Sequence, residues 1–331
     1  MIDSVFCIAA AIVGAGFASG REIMQFYSQY GFFSWILIAF SVGMMTALIY
    51  MLTDQRKGME NHQPLLIRIL WILLYSAVCS SMTAAAGEIA ALTIPVHRAR
   101  MLGMAVTLAF CVKMSNGNLL GLSLLGKLLV PGIAIIFLLC MHVKGIGSQP
   151  ASFSGASLFQ AAGYCSMNAV LTGAVTAEAG KNKTSRERLA IAVCAGMIFG
   201  GLLALGNASL LPHGPELREA ALPMVLLLKA YGKTGFYLSA AALYLAITTT
   251  LIAALRGMKA MLPGKRTDAW AVLIVAGGAL LGFREIVSRI YPIMGYLCLL
   301  SLVFPINFKK RKQNRVFHRS VYEWRKGEER G

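Results

Sequence analysis

Long apolar runs take up most of the chain, and the charged residues gather in the short stretches between them. Ten runs can be drawn, at 3–30, 32–52, 66–94, 101–114, 119–141, 157–179, 189–211, 235–261, 269–283 and 286–304. About 20 residues at a rise of 1.5 Å cover the hydrocarbon core of a bilayer, so most of these runs are long enough to cross one as helices. The fourth is short enough to be a re-entrant or buried segment instead. Charge arbitrates. With the N-terminus inside and ten crossings, the loops and tail place 21 lysines and arginines inside and 8 outside; without the fourth crossing the split is 9 inside and 20 outside. Basic residues favour the cytoplasmic side, so the pattern predicts ten crossings with both termini inside.

Composition narrows the class. The chain has 331 residues, of which 57% are hydrophobic and 14% charged, with a mean hydropathy of +0.66. A water-soluble domain would have no core large enough for so many apolar runs. An all-α, multi-pass protein of the cell membrane is expected. The net charge of +17 does not call for nucleic acid, because the basic residues sit in loops and a tail where they set topology. The first apolar run has no basic stretch before it and no small-residue cleavage site, so no cleaved signal peptide is expected. The seven cysteines are scattered singly in apolar runs and the five histidines lie far apart. No metal-ligand spacing or nucleophilic constellation emerges, and neither an enzyme nor a metal site is expected.

The first run is unusual in its middle. Residues 13–20 read Val-Gly-Ala-Gly-Phe-Ala-Ser-Gly, and each helical glycine costs roughly 1 kcal/mol against alanine. A membrane helix that breaks exposes backbone groups that lipid cannot satisfy, so a break persists only where protein or a polar cavity receives it. Close packing of a neighbouring helix on the small residues is the competing explanation. Ten spans divide into two sets of five with opposite orientation, which makes an inverted repeat the natural arrangement if the halves share a fold. The halves would be 1–142 and 153–306, followed by a basic cytoplasmic tail, 307–331. Span six should then break as span one does. Its middle, residues 162–168, reads Ala-Gly-Tyr-Cys-Ser-Met-Asn and carries polar groups at the required place.

Residues 13–26, Val-Gly-Ala-Gly-Phe-Ala-Ser-Gly-Arg-Glu-Ile-Met-Gln-Phe, resemble the opening signature of the YkvI-like membrane proteins. These are regarded as amino-acid permeases distantly related to the amino acid–polyamine–organocation superfamily. The resemblance extends over most of the chain in the number and order of spans. It implies a LeuT-type fold of five plus five inverted helices with broken helices 1 and 6. Glutamine is usual in the family where this chain has Arg21, so a positive charge is added near the outer half of the broken helix. Glu22 and Glu88 are candidate partners for it, as is an anionic solute, with snorkelling as the plainer account.

In that fold, half-helix N-termini direct their positive ends at the solute. The positions here are Ala15, Gly16, Ala18, Ser19 and Gly20 in span one, and Tyr164, Ser166 and Asn168 in span six. Free amides at those places suit a carboxylate, and Tyr164 is placed to cover the site. Sodium-coupled members hold the ion between helices one and eight, and the matching positions are Gly14, Phe17, Ala246, Thr249 and Thr250. Threonines that bond their own helix backbone are the alternative there. Lys127 lies about 12 Å into span five at 1.5 Å per residue, where an ammonium is costly and marks a functional site or a pair. It resembles the lysine that replaces sodium in proton-coupled relatives, and snorkelling is the alternative. Glu178, near the end of span six, is expected to pair with Lys181 or Lys183.

These readings converge on a secondary active transporter of amino acids or related small solutes. Proton coupling through Lys127 is the first expectation and sodium coupling the second, with no other cofactor. A ligand-sensing membrane subunit on the same scaffold, like the permease-like components of germinant receptors, is the alternative. The expected partners are a small solute and the bilayer, with anionic lipid headgroups at the basic tail. The sequence does not specify an oligomeric state.

Overall fold

The computed structural model describes residues 2–53, 65–116, 120–145, 147, 153–213, 217–262 and 267–302. The basic tail and the loops carrying Arg56, Lys57, Lys265 and Arg266 lie outside the described residues. Among the described residues the regular structure is helical, apart from an isolated bridge between Gly147 and His213. In lipid only a helix or a closed barrel satisfies its own backbone, and leucine- and alanine-rich runs without strand-like alternation take the helical solution.

The first span is three pieces: α1 (Ile2–Ile12), α2 (Ala15–Ala18) and α3 (Arg21–Phe26). A 3-10 stretch (Ser28–Phe33) leads into α4 (Ser34–Thr53), α5 (Leu65–Thr93), α6 (Ala99–Met114) and α7 (Leu120–Met141). The second half holds α8 (Gly155–Ala179), α9 (Ser185–Leu210), the short α10 (Pro223–Leu227), α11 (Gly232–Met261) and α12 (Thr267–Ala279). A last helical span, Phe283–Leu302, carries a π turn over Ile286–Ile290. Thr184 starts α9 with a capping box, its hydroxyl taking the Glu187 amide while Glu187 reaches back to the Thr184 amide, which satisfies two otherwise free donors.

Contacts between helix ends fix the threading. At one face, that of the N-terminus, Lys127 of α7 meets Asp3 of α1, Arg68 of α5 donates to the Met261 carbonyl of α11, and Lys259 of α11 meets Asp268 of α12. At the opposite face Glu88 of α5 pairs with Arg100 of α6, Tyr231 reaches the Leu139 carbonyl at the end of α7, and Arg284 pairs with Glu219. These contacts join the ends that an alternating threading of the spans would bring to the same side. The short α6 has one end at each of these faces.

Among the described residues, five helices are long and apolar enough to cross a membrane by length and composition. Large side chains such as Phe32, Leu66, Leu128, Leu238 and Leu273 point outward, an arrangement for lipid rather than water. The chain is a multi-pass membrane protein.

One expectation fails. Span six does not break, because α8 runs without interruption from Gly155 to Ala179. Its polar residues stay inside the helix: the Asn168 amide donates to the Tyr164 carbonyl at 3.0 Å and the Thr172 hydroxyl to the Asn168 carbonyl at 2.8 Å. Gly163 serves a crossing instead, since a Cβ there would stand 3.1 Å from the Gly295 carbonyl carbon in the last span.

Candidate functional site

Span one breaks twice, and each break has a local cause. Gly14 is extended (φ −77°, ψ 178°), and its amide turns back to the Ile12 carbonyl at 2.9 Å. After the single turn of α2, Ser19 donates its hydroxyl to the Gly16 carbonyl at 2.8 Å and accepts the Arg21 amide at 3.2 Å. Gly20 then adopts the left-handed conformation, φ 79°, which glycine enters without steric penalty. The chain therefore changes direction at Ser19 and Gly20, and α3 leaves on a new course.

That change brings Glu22 back over Gly16. A Cβ built on Gly16 would overlap Glu22 Oε1 and come within 2.6 Å of its Cδ, so the bare glycine leaves the space in which the carboxyl group lies. Oε2 accepts the Tyr164 hydroxyl of α8 at 2.7 Å. Glu22 is 6% exposed, and among the described residues no cationic side chain stands within ion-pair distance of it. Rings close the surroundings. Tyr164 packs on Phe26 at 4.7 Å between centroids, on Tyr27 at 5.8 Å and on Phe199 at 6.5 Å, and Phe17 packs on Phe137 and Phe199. The Tyr27 hydroxyl is occupied by Ser41 Oγ at 2.9 Å.

The connection between α9 and α11 roofs the second break. The Met224 amide of α10 donates to the Ser19 carbonyl at 3.0 Å, and the Met224 side chain lies against Gly20. Arg21 secures the same segment: its guanidinium donates to the carbonyls of Arg218 and Ala220 and, at 2.7 Å, to Ser288 of the last span. The expected pairing of Arg21 with Glu22 or Glu88 does not form. Glu22 has turned toward Tyr164, and Glu88 is held by Arg100 at 2.8 Å. Glu178 does pair with Lys181.

Ala15, Gly16, Ala18, Ser19, Gly20, Tyr164, Ser166 and Asn168 are all buried. Most of their amides are not free donors. Those of Ala18, Ser19 and Gly20 bond to the carbonyls of Gly14, Ala15 and Phe17 at 2.8–3.0 Å, and those of Ser166 and Asn168 lie inside an unbroken helix. The Ser166 hydroxyl, by contrast, is buried with no hydrogen-bond partner among the described residues.

The positions matched to a sodium site are only partly gathered. Gly14 faces Thr250, whose Cγ2 would stand 3.4 Å and Oγ1 3.6 Å from a Cβ on Gly14. Thr249 donates to the carbonyls of Leu245 and Ala246, each at 3.0 Å, the self-bonding of threonine in membrane helices. Lys127 is elsewhere. Its ammonium is 2.6 Å from Asp3 Oδ1, and Asp3 precedes Gly14 by eleven residues, about 16 Å along a helix. The desolvated lysine beside Gly14 and Thr250 that the sequence led us to expect is an ion pair at the N-terminal end of α1. The sequence did contain a signal for the residue it missed, a glutamate inside an apolar run. In a continuous helix, however, residues 16 and 22 point about 120° apart, so their meeting depends on the break.

No family model matches the chain. It is similar to the membrane protein YkvI of Bacillus subtilis (strain 168), at 23% identity over 89% of this chain and 92% of that protein. It is also similar to YyaD of the same organism, at 24% identity over 90% of this chain and 95% of the relative. Among solved structures, a manganese transporter of Eremococcus coleocola, crystallised with an aromatic bis-isothiourea substituted compound, covers 93% of this chain and 71% of its own, at 14% identity and a TM-score of 0.40. That likeness is too loose to bear on the site.

Proposed function

Taking the chain as a relative of YkvI and YyaD, we propose that it is a secondary active transporter of amino acids or related small solutes. The solute binds at the broken first span and gains access to each side of the membrane in turn. The observation that carries this reading is the double break itself, with a carboxyl group, the Tyr164 hydroxyl and the unpartnered Ser166 hydroxyl buried around it. Irregular backbone is tolerated at membrane depth where it serves such a cavity. The closed arrangement described above is one station of the cycle. Moving α10 away from Ser19 and Gly20 would open one side, and moving α1 away from α7, with loss of the Asp3–Lys127 pair, would open the other.

The proposed architecture is the LeuT-type repeat, 1–142 against 153–306, in the cell membrane with both termini inside. The alternating threading and the charge asymmetry of the loops support it. The proposed coupling ion is a proton. Sodium is the second choice, favoured by Thr250 lying against Gly14, with Phe17, Ala246 and Thr249 as the other ligands.

The test is a thermal-stability screen of the purified protein against amino acids, polyamines and other small solutes, each with and without Na⁺. A ligand that binds the folded state raises the melting temperature by mass action. We expect a shift with a subset of amino acids that does not depend on sodium, followed by uptake of the same compounds into proteoliposomes. Stabilisation by Na⁺ alone would move the coupling to Gly14 and Thr250. Binding without flux would replace the transporter by a sensing subunit.

A further inference from the structure

One ionisable group at the break, neither Lys127 nor Arg21, is buried without a counter-charge among the described residues. It is Glu22, which the sequence offered only as a partner for Arg21. Four observations bear on it. Its carboxyl group is buried. It occupies the space left by the missing side chain of Gly16. It accepts the Tyr164 hydroxyl at 2.7 Å. It has no cationic neighbour among the described residues, since Arg21 beside it in sequence is turned to Arg218, Ala220 and Ser288. The titratable groups that face it from the packed elements are Tyr164 of α8, Tyr27 at the end of α3 and Tyr291 of the last span. All are phenols, and none brings a positive charge.

An ionised carboxylate in a dry site without a counter-charge is strongly disfavoured, and one neutral hydroxyl donor does not replace a cation. A carboxyl group fixed inside a membrane span is by default part of an ion or proton path. We propose that Glu22 is the proton-binding group of the transport cycle: it carries a proton on Oε1 in the closed form, and releases it to water when the break opens to one side. The step is a simple acid dissociation. The O–H bond of the carboxyl group breaks and the proton passes to water; the carboxylate, hydrated in the open form, is reprotonated after the break has closed on that side and opened to the other. Tyr164 is a positioning residue that holds Oε2 so that the second oxygen stays at Gly16. This assignment deepens the transport reading and rests on it for coupling, whereas the protonation of Glu22 in the closed form does not.

The experiment therefore has two arms. In the first, infrared spectra of the purified full-length protein are recorded across pH for the unmodified chain, Glu22→Gln and Tyr164→Phe, each checked for a monodisperse fold by gel filtration. The expected result is a carbonyl band of a buried protonated carboxyl group at neutral pH that is lost in Glu22→Gln and displaced in Tyr164→Phe. Absence of such a band, or a band that survives Glu22→Gln, overturns the proposal. So does a band abolished at constant pH by Na⁺ or by an amine, which would make Glu22 a cation ligand.

In the second arm, proteoliposomes are offered a radiolabelled mixture of the protein amino acids under an imposed pH gradient. Glu22→Gln should lose accumulation above the equilibrium level, and its residual exchange should no longer vary with pH. Gradient-driven accumulation by Glu22→Gln overturns the coupling role. If the unmodified protein moves nothing in the mixture, the transport reading fails, and the infrared band alone decides whether Glu22 holds a proton.

Discussion

Gly16 and Gly20 do different work although they stand four residues apart. At Gly16 the constraint is space. A methyl group there meets the Glu22 carboxyl group, so Gly16→Ala should expel that group from its position and break its bond to Tyr164. Overpacking of this kind costs about 1–3 kcal/mol, read as a lowered melting temperature in detergent. At Gly20 the constraint is backbone conformation. With φ at 79°, alanine pays roughly 1–2 kcal/mol for the left-handed region and also presses on Met224, whose Cγ would be 3.0 Å away. Gly201 is the control, since a Cβ there meets nothing within 4 Å and Gly201→Ala should leave the melt unchanged. The cluster of glycines showed in the sequence that the first span would break. It did not show that Glu22 would fold onto Gly16, because that contact appears only after Gly20 has redirected the chain, and its other half, Tyr164, lies 142 residues away.

At the level of elements, the helices were legible and one discontinuity was misread. The apolar runs anticipated α4 to α9, α11 and α12 to within a few residues, because in lipid an apolar run has no competing structure. Span six was expected to break because Gly163, Ser166 and Asn168 interrupt its apolar character. Asn168 instead bonds back to its own helix, and Gly163 permits the close crossing with Gly295, the other common use of small residues in membrane helices. This distinction cannot be made from composition, since a broken helix and a tightly crossed one both call for a glycine. The crossing makes a prediction of its own. A Cβ on Gly295 would stand 2.9 Å from the Gly163 carbonyl carbon and 3.0 Å from its oxygen, and backbone cannot give way as a side chain can. Gly163→Ala and Gly295→Ala should each lower the melting temperature. Because both force apart the same pair of helices, the double variant should lose less than the two single losses added together.

For the molecule as a whole, the two faces are closed by different means, and this bears on what Lys127 does. The face opposite the N-terminus is held by backbone carbonyls on Arg21, by α10 over Gly20 and by the Arg284–Glu219 pair. The N-terminal face has the Lys259 ammonium bound to Asp268, Ser115 and Asn116 among α6, α11 and α12, and the Asp3–Lys127 pair across α1 and α7. Lysine buried in span five was a fair expectation from its depth along the chain, but depth does not say where the partner is. A carboxylate on the first turn of α1 was within reach. Both side chains of that pair are substantially exposed, at 42% for Lys127 and 77% for Asp3, and such pairs contribute little to folding stability. Lys127→Ala should therefore hardly move the melting temperature, and in the proposed cycle its effect should fall on transport. Two roles then separate by a charge exchange. If Lys127 acts only through its pairing with Asp3, Asp3→Lys and Lys127→Asp should each impair concentrative uptake, and the two together should restore most of it. If Lys127 itself gives up and regains the transported proton, the exchanged pair should stay inactive, because an aspartate at position 127 cannot carry a proton over the same range of pH. Restored uptake in the double variant would leave Glu22 as the ionisable group that moves protons, with Asp3 and Lys127 as the latch on the face they share.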